Sequence, residues 1–322
     1  MKAFADELAR FGPESKYDPF NLPEARTYCS RLARTHYENF TVASLLLPRR
    51  LRQHFHNVYA YCRWADDLAD ESGDDTRALD LLHWWKQELI RCYEDKPSHP
   101  VMVALSETIH QFRIPQGPFL DLLIAFEQDQ RVKRYRAYDE LLGYCRYSAN
   151  PVGRLVLYLC ASYNEENAAL SDSICTALQL ANFWQDVARD FDMGRVYLPE
   201  EDRRRFGYSE EDLECRRFTT AFAELMRFEV ERTRDLFYRG LPLVERMTPD
   251  VRLDIELFIQ GGLAILRKIE GVRYNVWKTR PVLSKVAKVR LLVKASARRW
   301  WSPNSPIRAV SLLFFMFFLP SW

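Results

Sequence analysis

Glycine is scarce, with eleven in 322 residues, and no G-x-G-x-x-G element occurs. A turn-rich sandwich or barrel is therefore disfavoured, and a Rossmann nicotinamide site has no support. Runs of short β-branched segments separated by turns are missing too. The seven cysteines (29, 62, 92, 145, 160, 175 and 215) form no C-x-x-C pair, and their odd number excludes a complete intrachain disulfide framework. Reduced thiols in a cytoplasmic setting are expected. Six histidines occur without metal-site spacing. The opening MKAFADELARF has acids early and lacks the apolar core of a signal peptide, so no export is expected. Acid is absent from the last part of the chain, where ten Lys and Arg follow Glu270 with no Asp or Glu.

What is present is apolar and aromatic: 48% hydrophobic and 14% aromatic residues, enough to offset ordering entropy and form a core. The expected class is all-α. Breaks at Pro48, at Ser72 to Asp75, at Lys96 to Pro100, at Pro115 to Pro118 and at Leu198-Pro199 separate segments long enough for helices of a large bundle. Residues 1–22, with Gly12, Pro13 and Pro19, read as a poorly ordered lead. Residues 23–295 read as one domain and residues 296–322 as a basic, aromatic and apolar tail.

Two acidic helices stand out. In YAYCRWADDLADE (Tyr59 to Glu71), Asp66 and Asp70 lie one above the other at roughly 100° per residue, with Arg63 beside them and Tyr59 on the bordering arc. In QLANFWQDVARD (Gln179 to Asp190), Asn182, Asp186 and Asp190 form an i, i+4, i+8 stripe. The plain alternative for this second helix is a solvated amphipath, because Asn182, Gln185, Asp186, Arg189 and Asp190 span one polar arc while Phe183, Trp184 and Val187 fill the other. Taken together, two carboxylate stripes suit Mg²⁺ ions that complete their shell with diphosphate oxygens, neutralise the leaving group and help it depart. Departure leaves a carbocation, which aromatic ring faces stabilise if they line the same cavity.

These two regions, the second extended to QLANFWQDVARDFDMGRVYLP, resemble the signature regions of squalene and phytoene synthases. HYENFTVASLLLP (His36 to Pro48), YDELLGYCRYSANPVG (Tyr138 to Gly153) and Tyr274-Asn275-Val276 extend the likeness over roughly residues 24–295. The resemblance implies a single-domain isoprenoid-synthase helical bundle with a central cavity. By position it assigns Mg²⁺ to Asp66, Asp70, Asn182, Asp186 and Asp190. Substrate falls to Phe40, Tyr59, Arg63, Gln185 and Tyr274, with Arg63 contacting diphosphate, and Tyr144 joins the acids in catalysis.

Where those families usually carry Val-Ala-Gly-x-Val-Gly, this chain has Ser148-Ala149-Asn150-Pro151-Val152-Gly153. That variant resembles the hydroxysqualene synthase branch of bacterial hopanoid pathways, in which presqualene diphosphate ionises and water captures the rearranged cation. An Asn amide orients a water where Val or Ala does not, so Asn150 is added to the catalytic set. The alternatives are presqualene diphosphate, squalene or phytoene synthesis, and a catalytically inactive adaptor, which is expected to have lost the acids that this chain keeps. The expected partners are an isoprenoid diphosphate, a pathway enzyme and a membrane surface on the cytoplasmic face, and not nucleic acid. Val310 to Leu319 is too short to span a bilayer but, with Trp300, Trp301 and the preceding cations, fits an interfacial anchor.

Overall fold

The computed structural model describes residues 2–35, 48–70 and 74–300. Helices dominate it, and the sole β feature among the described residues is an isolated parallel bridge between Arg134 and Val196. The breaks fall where proline and turn chemistry put them. Asp74 caps the helix Asp75–Tyr93 by accepting the Arg77 N–H at 2.9 Å, and His99 caps the helix Pro100–Phe112. Asn164 caps the helix Glu165–Asp192 by accepting the Asn167 N–H at 2.8 Å.

The chain divides into two compact units. The first comprises residues 2–35, 48–132 and 147–163. It contains α1 (Lys2–Phe11), α2 (Leu22–Thr35), α3 (Arg49–Asp70), α4 (Asp75–Tyr93), α5 (Pro100–Phe112), α6 (Gly117–Arg131) and α8 (Asn150–Leu159). Its core is aromatic and centres on α3: Trp64 stacks on Trp85 at 5.4 Å, Tyr61 stacks on Trp85 at 5.7 Å, and His99 meets the Trp64 ring edge-on at 4.5 Å. All four side chains are buried.

The N-terminal lead expected to be poorly ordered is instead partly structured. In α1, Phe4 packs on Trp64 at 5.2 Å and Phe11 on Tyr28 at 5.4 Å, and both phenylalanines are buried. The Tyr28 hydroxyl donates to Glu7 and accepts from the Trp64 indole N–H at 3.0 Å. The proline and glycine that suggested disorder lie after this helix. Its two phenylalanines gain enough burial to offset ordering it.

The second unit comprises residues 133–146 and 164–300 of the described chain. It contains most of α7 (Tyr138–Ser148), then α9 (Glu165–Asp192), α10 (Glu200–Arg205), α11 (Glu210–Glu214), α12 (Thr220–Gly240), α13 (Leu243–Arg246), α14 (Arg252–Gly271) and α15 (Lys285–Trp300). The boundary expected at residue 295 thus lies inside α15. The long α9 packs on α12 and α14. Trp184 of α9 is fully buried and donates its indole N–H to Thr233 of α12 at 2.8 Å. Two glycines permit this close packing: a Cβ on Gly262 would stand 2.1 Å from the Phe237 ring, and one on Gly240 would stand 2.4 Å from Ile174.

Candidate active site

In the first unit the acids gather at the C-terminal end of α3. Arg63 holds this end together, bonding Asp67 through Nε at 3.0 Å and through a second guanidinium nitrogen, and reaching Asp66 at 3.1 Å. Burial pushes the Asp66 carboxyl well above the usual carboxylate range, and Asp70 adds to the shift. Arg63 opposes it, while Asp67 and Asp129 raise it further. Tyr59 belongs to the same cluster: burial pushes its hydroxyl up to about 12, against the pull of Arg63. Asp70 is exposed at the last residue of the helix. No base stands in that last turn, so Asp66, Asp67 and Asp70 oppose the helix dipole, an arrangement that favours a bound cation.

In the second unit the stripe runs through the C-terminal part of α9. Gln179 through Val187 are buried without interruption, which removes the solvated-amphipath alternative. Asn182, Gln185, Asp186 and Asp190 are each less than a tenth exposed. A helix buried on every side carries such polar groups only where something polar meets them. For Asp186 the partner is Arg280, whose guanidinium pairs with both carboxylate oxygens, one at 2.9 Å. Gln185 donates to the Pro281 carbonyl, and its own Oε1 is buried without a hydrogen-bond partner among the described residues. Burial, then the neighbouring Asp186, push Asp190 up to about 8, although Arg195, Arg189 and Arg280 all pull the other way.

Beside this stripe lies a wall of rings. Phe183 and Tyr197 stack at 3.7 Å, and Tyr144 lies 6.2 Å from the first and 6.1 Å from the second. Tyr135 stacks on Tyr197 at 5.8 Å. A pocket within this unit is lined by Phe183, Val187, Phe191, Tyr197 and Trp277, with Asp190 and Arg195 as its charged groups. The arrangement offers an electron-rich, water-poor surface next to acidic groups, which suits a cationic intermediate.

The residues expected from sequence thus fall into two sets. Asp66, Asp70, Arg63, Tyr59 and Asn150 belong to the first unit; Asn182, Gln185, Asp186, Asp190 and Tyr144 belong to the second. Asn150 is buried and opens α8, whose N-cap Ala149 supplies no side-chain hydrogen bond. Tyr274 sits apart from the α9 stripe: its charged neighbours are Glu270, Glu231, Arg227 and Arg234, and its backbone is left-handed at φ 64°. Phe40 lies outside the described residues. Sequence reasoning missed Asp129, Asp67, Tyr197 and above all Arg280, which it counted only within the basic run. Nothing local marks Arg280, because its partner is 94 positions away.

No three of the His, Cys, Asp and Glu side chains among the described residues converge as a metal site. Mg²⁺ does not require that. It takes one or two carboxylates and completes an octahedron with water and phosphate oxygens, and Asp186 with Asp190, or Asp66 with Asp70, fits that demand. The raised carboxyls of Asp66 and Asp190 are a cost that a bound cation removes.

The chain is 28% identical over 301 residues to the phytoene synthase of Arthrospira platensis, an alignment covering 89% of this chain and 95% of that one. The solved structure of squalene synthase HpnC from Alicyclobacillus acidocaldarius superposes with a TM-score of 0.76 at 43% identity, over 79% of this chain and 96% of that one. A dehydrosqualene synthase solved with a ligand gives a TM-score of 0.78 at 27% identity, over 86% and 97%. The squalene/phytoene synthase family model matches residues 33–287, so this chain belongs to the squalene/phytoene synthase family of isoprenoid synthases, enzymes that act on isoprenoid diphosphates.

Proposed function

We propose that this chain is a hydroxysqualene synthase, which ionises presqualene diphosphate with Mg²⁺ and captures the rearranged cation with water at the cytoplasmic face of a membrane. The observation that carries the ionisation half is the buried Asn182, Asp186, Asp190 stripe with an aromatic wall beside it. Asp66 and Asp70 in the first unit, and Asn182, Asp186 and Asp190 in the second, are the residues that would hold Mg²⁺, which would supply positive charge to stabilise a departing diphosphate. Arg63 and Arg280 add fixed positive charge, held in place by Asp67 and Asp186. Tyr144, Phe183 and Tyr197 keep water away and present ring faces to the cation.

Asn150 supports the water-capture half. Its amide offers both a donor and an acceptor, and the nearby Ser148 Oγ is buried without a hydrogen-bond partner among the described residues. A segment this polar is costly unless polar matter meets it. The 43% likeness to a squalene synthase HpnC favours chemistry on the squalene side of the family over phytoene synthesis. A second reading, phytoene synthesis, is favoured by the names of the curated relatives at 27–28% identity.

Incubation with presqualene diphosphate in ¹⁸O-labelled water, without reductant, tests the proposal. The expected product is hydroxysqualene carrying the label. Squalene formed only with NADPH, or phytoene formed from a C20 diphosphate with presqualene diphosphate left untouched, would replace this reading.

A further inference from the structure

Ten large hydrophobic residues are exposed among the described residues, and four of them fall within twelve positions: Val282, Val286, Val289 and Val293. Three of these lie on α15, which packs on α14 through Leu292, buried against Leu257 and Leu253. At helical spacing Val286, Val289 and Val293 share one stripe, about 100° around the helix from Leu292, so the packing that anchors α15 leaves the stripe uncovered. Val286 is 77% exposed. Val is a poor choice for a solvated helix face, since it is β-branched and apolar, and three in register ask for a partner.

The charge around the stripe says what kind of partner. Arg290 is exposed on the same helix, and the chain from Arg273 onward contains ten Lys and Arg with no acid. A protein surface recognised by such a segment would have to be uniformly acidic and apolar together, whereas an anionic bilayer is both by nature. No described helix is long and apolar enough to cross a membrane, so the contact must be interfacial. The stripe also begins close to the site in sequence: Arg280 pairs with Asp186, Pro281 accepts from Gln185, and Val282 is already exposed.

We infer that the Val286, Val289, Val293 face of α15 is a docking surface for an anionic lipid bilayer. This sharpens the membrane contact proposed above to a named face, and it does not depend on which product the enzyme makes. The test is co-sedimentation of the full chain with vesicles of phosphatidylcholine and phosphatidylglycerol, compared with phosphatidylcholine alone. Wild type should bind the anionic vesicles preferentially. Val286→Asp/Val293→Asp should bind them at least tenfold more weakly, and Arg290→Glu about fivefold or more, since each basic group near an anionic surface contributes about that factor. Melting temperature and turnover of detergent-dispersed substrate should match wild type in both variants, which separates loss of docking from loss of fold or chemistry. A wild-type chain that ignores anionic vesicles, or a double valine variant that binds them as wild type does, overturns the inference. A wild-type dimer that the double variant loses, with vesicle binding unchanged, overturns it in favour of a second copy on this face.

Discussion

The acidic C-terminal turns of α3 and of α9 carry similar side chains at similar spacing, yet they solve opposite problems. On α3 the acids sit in the last turn, Asp70 is open to solvent, and the counter-charge Arg63 comes from the same helix one turn away. On α9 the acids are buried along with every neighbour from Gln179 to Val187, and the counter-charge Arg280 arrives from a distant segment. The α3 cluster is a local motif that a short peptide already encodes. The α9 stripe depends on partners from elsewhere in the second unit, Arg280 and Pro281 among them, and burial of four polar side chains there carries a desolvation cost that those partners offset. Selection keeps such a cost where chemistry needs it, so α9 is the more telling of the two.

The largest effect that bears on this comparison is removal of metal. Chelation should lower turnover by more than about a thousandfold, and added Mg²⁺ should restore it, because departing diphosphate charge has no other divalent partner. A steady-state assay over a Mg²⁺ titration checks this, and metal-independent turnover would reduce both stripes to structural features.

Next in size is Asn150→Val, which should leave diphosphate release intact while diverting product from hydroxysqualene to elimination products or other alcohols. Loss of one oriented hydrogen bond is worth about 1–3 kcal/mol, or ten- to hundredfold in selectivity. Product chromatography reads this directly. Unchanged product purity would leave Asn150 as nothing more than the residue that opens α8.

The smallest effect distinguishes the two counter-charges. Arg63→Ala removes the guanidinium bound to Asp67, whose side chain is 4% exposed, and Arg280→Ala removes the one bound to Asp186, at 2%. Each should destabilise its unit by about 1–3 kcal/mol in denaturant melts. Added Mg²⁺ should recover more of that loss in Arg280→Ala, where the freed carboxylate lies next to Asp190, than in Arg63→Ala. Equal recovery would erase the distinction drawn between the stripes.

Much of this was legible in the sequence because it is local. Proline and turn residues marked the helix limits at Pro48, Asp74 and Pro100, and the i, i+4 acids marked both stripes. Burial of the α9 stripe was not legible, because Asn182, Gln185, Asp186 and Asp190 make the same polar arc whether solvent or protein surrounds it. Arg280 and Tyr197 escaped for a related reason: each gains its role from a partner remote in sequence, Asp186 and Tyr144 respectively. The α1 lead was misjudged because Phe4 and Phe11 look like isolated apolar residues until Trp64 and Tyr28 are placed against them.

The central claim is that the buried α9 acids drive departure of the leaving group, and the most direct measurement is single-turnover diphosphate release by Asp190→Asn with saturating Mg²⁺, beside its melting temperature. Release should slow by about a hundredfold or more, as expected for loss of one electrostatic group acting on the transition state. The melting temperature should hold or rise, because the substitution removes a desolvated carboxylate pressed against Asp186. Release within a few-fold of wild type in a stably folded Asp190→Asn would contradict the account.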